Sequence, residues 1–237
     1  MARMPGAEWH PVRNYTADGQ DEVRGVVVHI MAGTLDGTQG WFNNPTAQAS
    51  SHFGTGKGGA LRQWVDTDDR AWAQSAGNRT WLSVENEGVG GDALTEQQLD
   101  DNAAVLAWAH EHHGVPLRLA TGPNDEGLGY HAMGGSAWGG HTSCPGPRIV
   151  AQLPEIVARA KRLVAGPTQE EDDMPTPLEI WNYRNKNAKG KIPDAYGYLT
   201  KTAGQVDKVD DKVDALTTQV AALTRAVATL TDLVKKG

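Results

Sequence analysis

Hydrophobic positions fall along this chain in two kinds of run. Residues 23–30 read Val-Arg-Gly-Val-Val-Val-His-Ile, a β-branched stretch with little polar interruption. That is the pattern of a strand covered on both faces, and its end places His29 at a sheet edge. Residues 49–55 and 60–65 read as two further strands, with Gly56-Lys-Gly-Gly59 between them as a hairpin loop signal. Residues 71–73 form a short buried segment. Residues 82–88, Leu-Ser-Val-Glu-Asn-Glu-Gly, alternate with period two. The alternation puts Glu85 and Glu87 on one face and Val84 on the other. The first 22 residues are polar and irregular, and a short helix from Gly37 to Phe42 stops at Asn43-Asn44-Pro45.

The second kind of run has helical period. Thr95 is an N-cap with Gln98 as its capping-box partner, and Leu99, Ala103, Leu106 and His110 recur behind it until Gly114 and Pro116 end the helix. His110, His112 and His113 near its end read as solvated, dipole-stabilised side chains. Residues 147–164 carry a stripe of Ile149, Val150, Leu153, Ile156, Val157, Ala160 and Leu163, with Pro154 as a kink or a restart.

At Gly166 the pattern changes. Residues 1–166 are expected to form one domain, residues 167–175 a charged, proline-bracketed linker, and residues 176–200 a short helical connector opened by Thr176-Pro-Leu-Glu179. In residues 201–237, Val206, Val209, Val213, Leu216, Val220, Leu223, Val227, Leu230 and Val234 alternate spacings of three and four. This is a coiled-coil seam, with valine at a and mostly leucine at d, and it predicts a homo-oligomer. The competing reading is a lone amphipathic helix packed on the main domain, which calls for a wider apolar stripe. The fold class expected is therefore α/β, a mixed sheet flanked by helices, with a C-terminal coiled-coil tail.

Composition narrows the partners. The 237 residues carry a net charge of −7, and neither the domain nor the tail is basic, which argues against a nucleic acid or an anionic membrane held by charge. No stretch approaches the roughly 20 apolar residues that span a bilayer. The start, Met-Ala-Arg-Met-Pro, lacks the apolar core of a signal peptide. The expectation is a protein made in a cytoplasm, released to its place of action by something else.

Candidate chemistry centres on the glycine-rich residues 128–146, which hold His131, His141 and the single cysteine, Cys144. A lone cysteine is an inert thiol, an intermolecular link, or a thiolate used in chemistry or metal binding. Zinc takes imidazole and thiolate donors, and a catalytic site keeps three protein ligands. His29, His131 and Cys144 would supply them, one zinc per chain. Hydrolysis also needs a base, and Glu85 is the best placed, provided its strand lies beside that of His29.

Five blocks carry a resemblance: Val26-Val-Val-His29, Ser51-His52-Phe53, Asp69-Arg-Ala-Trp72, Ser83-Val-Glu85, and Gly129-Tyr-His131 followed by His141-Thr-Ser-Cys144-Pro-Gly. In order, they resemble the zinc-dependent N-acetylmuramoyl-L-alanine amidases, often called amidase type 2 and related to the peptidoglycan recognition proteins. The resemblance covers roughly residues 8–165. It implies a mixed sheet with zinc at one edge, peptidoglycan as substrate, and cleavage between the lactyl group of N-acetylmuramic acid and the first L-alanine. It also implies His29, His131 and Cys144 as zinc ligands, Glu85 as the water-activating acid, and Thr142 as the residue steadying the oxyanion. Trp72, Ser51, His52 and His141 become candidate substrate contacts, with a satisfied structural histidine as the alternative for His52 and for His141. Ser51 stands where many members carry tyrosine, and Ala73 follows Trp72 where the family often has histidine. The architecture as a whole looks like a bacteriophage endolysin held in the host cytoplasm until it reaches the wall. The alternatives are a peptidoglycan-binding module without turnover and a structural virion component.

Overall fold

The computed structural model describes residues 2–166, and in the tail residues 202, 205, 206, 208, 209, 211–221, 223 and 224. The chain divides into two units, Met1–Thr168 and Gln169–Gly237. The expected linker at 167–175, the connector at 176–200 and the end of the heptad pattern, 225–237, lie outside the described residues.

In chain order the first unit runs β1 (Glu8–Trp9), β2 (Gly25–Ile30), α1 (Leu35–Phe42), β3 (Phe53–Thr55), β4 (Leu61–Gln63), β5 (Trp81–Asn86), α2 (Glu96–His113), β6 (Gly127–Tyr130) and α3 (Pro147–Ala165). The strands form one six-stranded sheet in the order β1-β4-β3-β5-β2-β6. Only β3 and β4, joined by the glycine hairpin, are antiparallel; every other neighbouring pair is parallel. The mixed sheet is the one expected. Strands β1 and β6 were not: one has two residues, the other is half glycine, and neither shows a periodicity to read.

Strand β2 is buried along nearly its whole length because both faces of the sheet are covered. Val26, Val28, Leu82, Val84 and Leu128 point towards α2 and α3 and pack there with Leu99, Ala103, Leu106, Ile149 and Ile156. On the other face Val27 meets Trp81 and Trp138, whose rings cross edge to face at 5.4 Å. A side chain at Gly134 would occupy the space of the Trp138 ring, so the glycines here let tryptophans lie close on the backbone.

Helix α2 starts at the expected capping box, with both reciprocal hydrogen bonds formed. Helix α3 runs unbroken through Pro154, which lies on its exposed side where the carbonyl left without a donor can meet water. Helix α1 begins at Leu35, earlier than Gly37, because Thr34 caps it by accepting the Gly37 amide at 3.2 Å. His112 and His113 are not simply solvated. His112 stacks on Trp108 at 4.7 Å, and His113 crosses the same ring and meets Thr67 Oγ1 at 3.0 Å.

In the second unit residues 211–221 are helical. Val206, Val209, Val213, Leu216, Val220 and Leu223 are between 53% and 66% exposed, so the stripe has no cover among the described residues.

Candidate metal centre and active site

Three parallel strands end together, and the site is built on their carboxyl ends. His29 is the penultimate residue of β2, and its register partner in β5 is Glu85. Val28 pairs with Tyr130 of β6, so His131, the next residue, emerges level with His29. Register partners project to the same side of a sheet. The strand pairing alone therefore delivers two imidazoles and a carboxyl to one point. Such strand ends are where open α/β sheets place their ligands.

Cys144 comes from the glycine-rich segment that precedes α3. The Ala132 amide donates to the Cys144 carbonyl at 2.9 Å and ties the segment down beside His131. The donor atoms of His29, His131 and Cys144 all lie within 4.8 Å of one another. Cys144 Sγ is 3.9 Å from His29 Nδ1, and Glu85 Oε1 is 3.8 Å from the same nitrogen. The rings of His29 and His131 are 4.4 Å apart, centre to centre. His131 Nε2 faces the Trp138 carbonyl at 2.9 Å, which leaves its Nδ1 for the shared point.

Every shifted group of this cluster is pushed towards its uncharged form. Burial, with the neighbouring His131 adding to it, pushes His29 well below the usual imidazole range. Burial also depresses His131. Burial raises the Glu85 carboxyl to about 8, and raises Cys144 to about 12 with the Glu85 charge adding and the Ile30 amide opposing. A thiol that high is protonated at neutral pH and is no nucleophile. Glu85 Oε2 is buried with no hydrogen-bond partner. Two neutral imidazoles, a thiol and an unpartnered carboxyl oxygen converging in one pocket fit a zinc ion, which accepts nitrogen and sulfur donors and favours the thiolate.

The other expected site residues separate into two groups. His141 and Thr142 are exposed beside the cluster, the His141 ring 4.7 Å from that of His131. Ser51 and His52 have no exposed surface. Ser51 Oγ donates to the Phe53 carbonyl, and His52 is bonded to Ser83 and to the Asp69 carbonyl. A side chain without exposed surface cannot touch a polymeric substrate, so these two are structural in this fold. Trp72 is half-buried, its indole nitrogen donating to Thr16 Oγ1 at 2.9 Å.

Two open grooves flank the cluster. One, of about 410 Å³, runs past Met31, Thr34, Trp41 and Glu85; the other, of about 430 Å³, runs past Gly91, Tyr130, Thr142 and Cys144. Between them they expose the carboxyl on one side and the thiol on the other.

Asn86 is a supporting residue that the sequence analysis passed over. Its amide nitrogen donates to the His29 carbonyl at 2.9 Å, while its oxygen accepts from Thr55 and Asn102. The signal was available: an asparagine at a position that strand alternation turns to the covered face is a buried polar group in need of partners.

Comparisons with known proteins agree with this geometry. Residues 19–147 match the family described as N-acetylmuramoyl-L-alanine amidase, and that span holds His29, Glu85, His131 and Cys144. Over 90 residues the chain is 32% identical to N-acetylmuramoyl-L-alanine amidase A of Achromobacter lyticus; the match takes in 37% of this chain and half of that protein's length. Among solved structures, a selenomethionine derivative of AmpD is similar at 19% identity and a TM-score of 0.50, over 65% of this chain and 96% of that one. Staphylococcus aureus hydrolase AmiA in complex with its ligand is similar at 18% identity and a TM-score of 0.52, over 67% and 84%. At those identities the likeness is one of fold.

Proposed function

The chain belongs to the N-acetylmuramoyl-L-alanine amidase family, and from that premise we propose that residues 1–166 hydrolyse peptidoglycan at the amide between N-acetylmuramic acid and the first L-alanine. The observation that carries the proposal is the convergence of His29, His131 and Cys144 within 4.8 Å, with Glu85 at 3.8 Å from His29. These three residues would hold one zinc ion, which would supply the acidity that activates water and polarises a carbonyl. Glu85 does the proton work. A cation held beside Glu85 would favour its ionised form, and the unpartnered Oε2 then accepts a proton from the attacking water as oxygen adds to the carbonyl carbon. It then delivers that proton to the alanine nitrogen as the carbon–nitrogen bond breaks. Thr142 and His141, exposed at the rim, are assigned to the developing oxyanion and the substrate, and Trp72 to an apolar contact with it.

The tail is assigned to self-association through residues 201–237. The uncovered valine and leucine stripe on its described helix supports this, because a second copy would bury it. Several copies of a wall-cutting domain bind a polymeric substrate with added avidity. An amidase domain carried on such a tail fits a lytic enzyme of the endolysin kind, acting on the wall after release from a host cytoplasm. Among the described residues no helix is long and apolar enough to cross a membrane.

Mass spectrometry of wall digests tests the activity directly. Free lactyl carboxyls and new L-alanine amines should appear and should vanish with chelator. Tight wall binding by zinc-replete protein with no such products would replace the enzyme with a binding module.

A further inference from the structure

The edge of the sheet away from β6 carries a pocket of its own. Strand β1 is the outermost strand there, with β4, β3 and β5 standing between it and β2. The pocket, of about 200 Å³, is lined by the N-terminal residues, by the end of β1 with the chain that follows it, and by the chain leaving β4. It shares no lining residue with the two grooves beside the metal cluster. Trp9, Tyr15 and Trp64 supply aromatic surface, and Arg3, Asp66 and Asp69 supply charge. Tyr15 is 40% exposed, so its ring is open to a ligand, while Trp64 is buried beneath.

Asp66 is the informative residue, because it is 4% exposed and only half satisfied. Its Oδ1 accepts the Ala2 amide at 2.8 Å and the Asp68 amide at 3.1 Å. Its Oδ2 is buried with no hydrogen-bond partner. Arg3 Nε stands 3.9 Å from that oxygen, outside hydrogen-bond reach. A carboxylate oxygen withdrawn from water without a donor is costly. Asp69 joins from the same turn, with Oδ1 accepting the Asp18 amide at 2.9 Å. The guanidinium carbon of Arg3 lies 3.8 Å from the centre of the Trp9 ring, so one wall of the pocket already holds a cation by its face. Two aspartates against one arginine still leave the lining acidic.

That chemistry selects the occupant. An anion would meet two aspartates, and an apolar group would leave Asp66 Oδ2 without a donor. A neutral hydroxyl would donate one hydrogen and bring no charge. An alkylammonium brings three N–H donors and a charge that aromatic faces attract. We propose that this pocket binds an organic ammonium group, its N–H bonds directed at Asp66 Oδ2 and Asp69 and its methylenes lying against Tyr15. The inference is independent of the zinc and amidase readings, and neither the strand pattern nor the family blocks point to it.

The test is made on the full chain with Nα-acetyl-L-lysine methylamide as probe and its Nζ-acetylated form as the uncharged control. Binding is read from the Trp9 indole N–H in proton–nitrogen NMR. The charged probe should shift that signal saturably, and the control should not. Tyr15→Ala and Asp69→Asn should each weaken binding by about 10-fold while zinc affinity stays at the wild-type value. Asp66→Asn keeps Oδ1 for the two amides and should weaken binding at least as much. No saturable shift at Trp9 would overturn the proposal, as would an equal response to the two probes or unchanged affinity in a folded Tyr15→Ala protein. The first two readings use the wild-type chain and stand even where a variant does not fold. Sedimentation with purified walls, native or with their amines acetylated, then names the source. Weaker binding to acetylated walls places the ammonium on the wall polymer; equal binding, with the probe still bound, places it on a soluble amine.

Discussion

His29 lies in β2 and His52 just before β3, and both are buried, yet only one belongs to the metal cluster. Both are removed from solvent, and burial lowers the proton affinity of both. They differ in what surrounds the ring nitrogens. His52 Nδ1 accepts from the Ser83 amide at 3.2 Å, and Nε2 is left to donate to the Asp69 carbonyl at 3.2 Å. Every polar atom of that ring is used. His29 turns Nδ1 to a thiol and a carboxyl, and neither of its nitrogens has a short, well-aligned bond. Burial by itself does not mark a ligand. The mark is a buried nitrogen that the protein leaves open.

The comparison can be broken most forcefully at Cys144. Cys144→Ser should lose bound zinc and wall-cutting together, read by metal analysis and turbidity loss of purified walls; stoichiometric zinc in that variant would refute the ligand set. Next comes Glu85→Gln, which keeps the shape and removes the base. It should retain zinc while turnover of small muropeptides falls by about 100- to 10,000-fold, and unchanged turnover would pass the proton work to another group.

On the other side of the comparison, His52→Gln should leave zinc affinity alone and act on stability. The folded His52 titrates at about 4 against an ordinary value of 6.5. As pH falls the unfolded chain takes up its proton first, so stability present above pH 6.5 is lost towards pH 4, by about 3 kcal/mol. The variant's stability, followed by urea denaturation across that window, should fall less steeply than wild type. The smallest effect belongs to Ser51→Ala, which gives up side-chain hydrogen bonds worth about 1 kcal/mol net. Its activity should match wild type, and a large drop would restore Ser51 to the substrate surface.

The sequence made the first half of the site legible and hid its support. A β-branched run ending in histidine and an alternating run carrying Glu85 are long enough to read, and once the strands pair in parallel the two residues must meet. Ser51 and His52 were misplaced because a family block gives identity and order but not exposure; a serine and a histidine at a strand start can face either way. The Trp138 carbonyl acts from an irregular segment, where there is no period to tell which groups turn to the site. In the tail the heptad spacing was plain, but spacing does not say how many chains share the seam. Removing residues 201–237 and measuring the mass in solution would count them.

Cys144 and His29 lie 115 residues apart along the chain yet 3.9 Å apart in space. A metal held between them would act as a removable staple, closing the first long strand onto the segment that launches α3. Each tenfold excess of free zinc over its dissociation constant would then add about 1.4 kcal/mol to the folded state. Melting temperature, measured with and without chelator, becomes a gauge of site occupancy that needs no substrate.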